Sequence, residues 1–184
     1  MIVFAPYSTT VRVKDQGETR EFVNDLSRLH AQDDACSVIR WACTTPTDYA
    51  NGLNRLWGVE DILIIEHDIV PTYTQMFKLL TCKESAFCAW DYVINEEGKR
   101  WSEALLTERG KDRLYLDGTT QNGHSSSDAN HASFGFCRID KEAQGHDVPI
   151  VHWKELAYIV SKSLPDVHVH GVDWPVKHNH YREA

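Results

Sequence analysis

The sequence Asp61-Ile62-Leu63-Ile64-Ile65 runs directly into the polar triplet Glu66-His67-Asp68. An unbroken aliphatic run rich in β-branched residues is typical of a central strand in a parallel sheet, where helices cover both faces. Open α/β sheets bind their ligands at the carboxyl ends of such strands. The stretch therefore predicts a buried parallel strand with a polar site at its end.

Strands and helices alternate around this stretch over the first 90 residues. Apolar runs predict strands, and apolar residues at helical spacing predict helices. Thr45-Pro46-Thr47-Asp48 is expected to start one of the helices, with a hydroxyl or a carboxylate as its cap. The alternation predicts a single compact α/β domain with a Rossmann-like, mostly parallel sheet flanked by helices. The expected strands are 2–5, 35–41, 61–65 and 85–90, and the expected helices are 19–30, one starting after Thr45 and one following Pro71.

The pattern changes after Tyr92. Residues 95–131 are polar and rich in Gly, Ser, Asp and Asn. A loop of this length in a compact domain is usually functional or disordered, and we expect a lid. Further on, the sequence predicts a strand over 133–139, an amphipathic helix over 153–164 and a strand over 167–170.

Composition narrows the class of protein. The chain has 184 residues and a net charge of -8. Its overall charge therefore contributes little to any affinity for the phosphates of a nucleic acid. No apolar run approaches the roughly 20 residues that span a bilayer, and the N-terminus lacks the basic region of a signal peptide. The five cysteines are an odd number and form no Cys-x-x-Cys motif. We therefore expect a cytoplasmic protein that does not bind a membrane.

The acidic triplet is the first candidate for chemistry. In extended backbone, Glu66 and Asp68 point to one face and His67 points to the other. Two carboxylates about 7 Å apart repel each other unless a cation or protons lie between them. Mn²⁺ and Mg²⁺ prefer such oxygen ligands. The alternative interpretation is an acidic strand end exposed to water.

Histidines are the second candidate. The chain has ten, and four of them lie in the last seventeen residues. His168 and His170 share one strand face, and an imidazole can complete the coordination of Mn²⁺. This spacing alone does not make a zinc site, because it specifies no third and fourth ligand.

The segment 64–71, together with Cys82 and residues 86–92, resembles the core of GT-A-type nucleotide-sugar glycosyltransferases, especially small bacterial and phage members. The resemblance implies that Asp68 is the metal ligand and that Glu66 supports the metal or the donor ribose. It implies Mn²⁺ or Mg²⁺ as the cofactor. It also implies a distal histidine ligand, for which His178 is the first choice and His180 the second.

The resemblance covers residues 1–92 well and 131–180 loosely. It implies one domain over 1–184, with a nucleotide-sugar half (1–92), a lid or acceptor loop (95–131) and an acceptor half with the tail (132–184). The loop Pro6-Tyr7-Ser8 and His67 would contact the donor. The sequence departs from the family in having Glu-His-Asp where Asp-x-Asp is usual, and residues 95–131 match nothing in it.

The expected activity is hexosyl or pentosyl transfer from a nucleotide sugar, with UDP as the first choice, to an unidentified acceptor hydroxyl. Phage-like relatives suggest a hydroxymethylated DNA base as acceptor, inside the bacterial host if a phage encodes the chain. An inverting enzyme needs a carboxylate base, for which Glu155 and Asp128 are candidates. Two alternatives stay open: a nucleotidyltransferase or other metal-dependent nucleotide-processing enzyme, and a non-catalytic nucleotide-sugar-binding module.

Overall fold

A computed structural model describes residues 1–9, 17–30, 36–92, 114–116, 130–133, 135–145, 150–152, 158–161, 167–171, 174 and 176–179. The first half contains β1 (Ile2–Ser8), α1 (Gly17–His30), β2 (Ser37–Cys43), α2 (Pro46–Leu56), β3 (Ile62–Ile65), β4 (Ile69–Val70), α3 (Tyr73–Thr81) and β5 (Phe87–Trp90). The second half contains β6 (Leu114–Leu116), β7 (Asn130–Ser133), β8 (Phe136–Ile139), α4 (Lys141–Gln144), β9 (Ile150–His152), β10 (Tyr158–Ser161), β11 (Val167–His170) and β12 (Lys177–His178).

The main sheet has the strand order β2-β1-β3-β8-β5-β11-β6 in the described part of the chain. β8 runs antiparallel to both of its neighbours, β3 and β5, and the other pairings are parallel. All four residues of β3 are buried, as the aliphatic run predicts. The α/β prediction is therefore confirmed, with a mixed sheet flanked by helices.

The helices lie on opposite faces of this sheet. The chain moves from β1 to β2 in one direction and from β2 to β3 in the other, so right-handed crossovers place α1 and α2 on different faces. Tyr49 of α2 packs edge-on against Phe4 of β1. Phe22 of α1 contacts Tyr73 of α3, which places these two helices on the same face. The reversal at β1 creates a crevice at the carboxyl ends of β1 and β3, where open α/β sheets bind ligands.

Local signals determine where the helices begin. Thr45 caps α2: its hydroxyl accepts from the Asp48 backbone N–H, and the Asp48 carboxylate accepts from the Thr45 N–H at 2.8 Å. The predicted helix start is confirmed, and of the two alternatives the hydroxyl, that of Thr45, is the cap. Such a reciprocal pair satisfies N–H groups that the helix leaves unbonded. No helix in the ranges that the structure describes has both the length and the apolar character to cross a membrane.

Two predictions for the second half are corrected. The predicted helix over 153–164 is wrong in its second part, because β10 (Tyr158–Ser161) is a strand paired with β7 and β9. Its aromatic and β-branched residues favour a strand once partner strands are present, and this pairing outweighs the helical spacing. Within the predicted loop 95–131, residues 114–116 form β6 at the edge of the main sheet. The lid prediction otherwise lies outside the described residues, except for Asn130 and His131 at the start of β7.

Candidate nucleotide and metal site

A cavity of about 320 Å³ lies at the crevice between β1 and β3. Pro6, Tyr7 and Ser8 line it from the end of β1, and His67 lines it from the turn after β3. These four residues come together because parallel strands β1 and β3 end at the same sheet edge. Four of the five residues predicted to contact the donor therefore line one cavity in the structure.

Two arginines in the cavity wall were missed by the sequence analysis. Arg40 of β2 lies over the Tyr7 ring, with its guanidinium carbon 5.2 Å from the ring centroid. Arg20 comes from the first turn of α1, which begins at the sheet edge where β1 ends. A guanidinium group suits phosphate recognition. The sequence signal that could have identified Arg20 was its place in the first helix after the first strand, close to the end of that strand.

The acidic residues occupy the turn that ends β3. The Glu66 backbone N–H donates to the Gly135 carbonyl at 2.9 Å, and the Glu66 carbonyl accepts from the Ile69 N–H at 3.1 Å. Asp68 is buried, with 7% of its surface exposed. Asp68 is therefore held by burial, and Glu66 is half-buried and held by backbone hydrogen bonds. The alternative of a solvated acidic strand end does not describe Asp68.

Burial and mutual repulsion perturb these carboxyl groups. Burial, and then the charge of Asp68, raises the pKa of Glu66 well above its ordinary value, and a hydrogen bond with the Tyr49 hydroxyl acts in the opposite direction. Burial and the Glu66 charge also raise the pKa of Tyr49 and of Cys137. A carboxylate in this environment is unfavourable unless a proton or a cation accompanies it. Hard oxygen donors of this kind fit Mn²⁺ or Mg²⁺.

Glu66 and His67 are directed to different faces of the sheet. His67 lines the cavity on the side of α1, whereas Glu66 interacts with Tyr49 of α2 and is not among the residues that line the cavity. The alternation along β3 that was used to predict this arrangement thus persists at its end. Of the predicted donor contacts, Glu66 is the one that the structure separates from Pro6, Tyr7 and Ser8.

The C-terminal tail returns to this strand end. β12 pairs antiparallel with β4, which places His178 in register with Ile69. The Asn179 N–H donates to the Asp68 carbonyl at 2.7 Å. Lys177 forms an ion pair with Glu18 of α1, and this bond lowers the pKa of Glu18. The backbone of His178 therefore lies beside Asp68; His180, Glu155 and Asp128 lie outside the described residues.

The fold and the site define an α/β protein with a cavity at a reversal of strand order and a buried acidic turn beside it. Neither a scan against protein-family models nor a search of curated proteins finds a match to this chain.

The raised pKa of Glu66 predicts a specific pH dependence of stability in metal-free buffer. The folded protein holds this proton more tightly than the unfolded chain, so the stabilisation is complete below the ordinary pKa of 4.5 and is lost as pH rises through the folded value. Glu66→Gln is expected to remove this loss of stability with rising pH, because glutamine does not titrate. Urea unfolding between about pH 5 and about pH 8 measures it.

Exposed Glu21 of α1 provides the matched control for this measurement. Glu21→Gln should keep the pH dependence of the parent. Parallel stability curves for the parent and Glu66→Gln would show that the carboxyl of Glu66 is not perturbed.

Proposed function

We propose that this chain is a GT-A-type glycosyltransferase that uses Mn²⁺ or Mg²⁺ and transfers a sugar from a nucleotide sugar, with UDP as the first choice, to an acceptor hydroxyl. One observation carries the proposal: His67, which lines the cavity at the β1–β3 crevice, belongs to the same turn as Glu66 and Asp68. A nucleotide sugar needs a recess for its base and positive charge for its diphosphate, and the end of β3 would take part in both.

The cavity residues suit the parts of a nucleotide. Its volume, about 320 Å³, is within the range of small-molecule sites. The Tyr7 ring, held by Arg40, provides an aromatic surface for the base. Arg20 and Arg40 provide positive charge for the diphosphate. Ser8 and His67 offer hydrogen bonds at the same wall.

Asp68 and Glu66 would hold the metal ion. Burial and then repulsion by Asp68 raise the pKa of Glu66, and a divalent cation relieves such repulsion. The returning tail places His178 in register with Ile69, next to Asp68, which agrees with its assignment as the distal ligand. When bound, Mn²⁺ or Mg²⁺ supplies positive charge that stabilises the leaving diphosphate.

The acceptor side follows from the resemblance. Glu155 or Asp128 would take the proton of the acceptor hydroxyl in an inverting reaction. A hydroxymethylated DNA base is the acceptor that the resemblance to phage members of the family suggests. Transfer to such a base would take place in the cytoplasm of a bacterial host. The net charge of -8 requires that DNA contacts come from a local basic surface.

A nucleotidyltransferase is the second candidate. Arg20 and Arg40 at the cavity wall are the observation that favours it, because two guanidinium groups also suit a triphosphate. The third reading is a module that binds nucleotide sugars without turning them over.

Thermal unfolding with a panel of nucleotide sugars and nucleoside triphosphates, each with and without Mn²⁺, separates these functions. A specific ligand raises the melting temperature by mass action. We expect a UDP-sugar with Mn²⁺ to give the largest shift and to release UDP on incubation. A shift with triphosphates alone would favour the second candidate, and binding of the sugar nucleotide without UDP release would favour the third.

A matched pair of variants tests the cavity itself. Arg40→Leu should reduce the shift, whereas Arg28→Leu, at an exposed position of α1, should not. Equal shifts for the parent and Arg40→Leu would place the donor elsewhere.

A further inference from the structure

A second cluster of metal-ligating side chains lies away from the acidic turn. Cys82 follows the last residue of α3, and His168 and His170 belong to β11. One ligand atom from each of these three residues lies within 4.8 Å of the other two. The two histidines were noted in the sequence as sharing a strand face, and the structure adds the cysteine.

Strand pairing and one arginine assemble this cluster. β11 pairs with β5 so that His168 is opposite Cys88 and His170 is opposite Trp90, and both imidazoles therefore lie on one face. Arg138 of β8 is also opposite Cys88, and its guanidinium donates to the Cys82 carbonyl at 2.8 Å. The arginine thus holds the end of α3 against the face that carries the two histidines.

Packing restricts the imidazole rings of His168 and His170 but leaves part of the cluster accessible to solvent. The His170 ring is stacked on Trp90 at 5.5 Å and makes an edge contact with His168 at 4.5 Å. His170 is buried, with 7% of its surface exposed, whereas Cys82 and His168 are half-buried. An ion can therefore enter from the side of Cys82 and His168 and meet ligands whose orientation is already limited.

We propose that Cys82, His168 and His170 form a binding site for Zn²⁺ or a similar borderline transition-metal ion. A thiolate with two imidazoles is a zinc-type ligand set, whereas Mg²⁺ and Mn²⁺ prefer the oxygen ligands of the acidic turn. Tetrahedral bonds of about 2.0–2.3 Å bring ligand atoms to about 3.3–3.8 Å from one another. Small side-chain rotations close the remaining gap, and the fourth position is left to water or an added ligand.

This site is separate from the proposed donor site. In the sheet order, β8 and β5 lie between β3 and β11. Three strand spacings of about 4.8 Å each put the two strands about 14 Å apart. The zinc proposal therefore does not depend on the glycosyltransferase proposal, and either can fail alone.

Cobalt is the probe, because a thiolate bound to Co²⁺ gives a charge-transfer absorption band in the near ultraviolet that oxygen ligands do not give. The full chain, stripped with chelator, is titrated with Co²⁺ and then with Zn²⁺. We expect the band to appear with one equivalent of Co²⁺ and to be removed by Zn²⁺. Absence of the band in the parent protein would overturn the proposal.

Variants assign the ligands. Cys82→Ser should lose the band, and His168→Gln should weaken Co²⁺ binding by more than the roughly 10- to 100-fold typical of losing an outer-sphere partner. Cys36→Ser, at a half-buried free cysteine just before β2, and Asp68→Asn in the acidic turn should both keep it. Circular dichroism confirms that each variant is folded. Retention of the band in Cys82→Ser, or its loss in Cys36→Ser, would overturn the assignment.

Discussion

Replacing Asp68 with asparagine is expected to abolish metal-dependent binding of a UDP-sugar while the chain stays folded. Asparagine keeps the size of the buried side chain and one oxygen, but it removes the negative charge that a divalent ion requires. We expect affinity for UDP in the presence of Mn²⁺ to fall at least about 100-fold, or about 3 kcal/mol. Isothermal titration calorimetry with Mn²⁺ and UDP measures the loss.

The control for this experiment is Asp25→Asn, at an exposed position of α1 that pairs with Arg28. It should bind donor and metal like the parent. The cobalt band assigned to Cys82 should also survive in Asp68→Asn, because β3 and β11 are separated in the sheet. If Asp68→Asn binds Mn²⁺ and UDP with unchanged affinity, the acidic turn is not the metal site.

Replacing Arg138 with methionine is expected to cause the largest loss of stability. Its buried guanidinium donates to the carbonyls of Leu79, Leu80, Cys82 and Ser85 at 2.8–3.1 Å, and its Nε lies 2.9 Å from Asp140. Methionine fills the volume but leaves these acceptors without their donor. Removing one partner from a buried ionic network typically costs about 3–5 kcal/mol, and urea unfolding should show a loss of that size.

Arg28→Met is the matched control, since Arg28 forms an exposed ion pair with Asp25. Such pairs contribute about 0–1 kcal/mol, so this variant should unfold near the parent midpoint. A loss below about 1 kcal/mol for Arg138→Met would mean that the strand end and the α3 terminus hold together without it.

Local patterns determined much of the fold. The aliphatic run that forms β3 and the capped helix start at Thr45–Asp48 could be predicted, because each depends on residues within a few positions of one another. Pro6, Tyr7, Ser8 and His67 were named as donor contacts because of the family resemblance, and that role stays a prediction. They line one cavity because the parallel strands β1 and β3 end at a shared edge of the sheet.

Tertiary structure decided what depends on partners distant in sequence. The sequence does not show that β8 inserts antiparallel between β3 and β5, or that residues 158–161 pair as a strand. Nor does it show that Arg40 covers Tyr7 or that Cys82 meets His168 and His170. Each arrangement depends on strand pairing and burial between segments that are distant in the sequence. These contacts stabilise the protein only once it has folded, so no local sequence pattern predicts them.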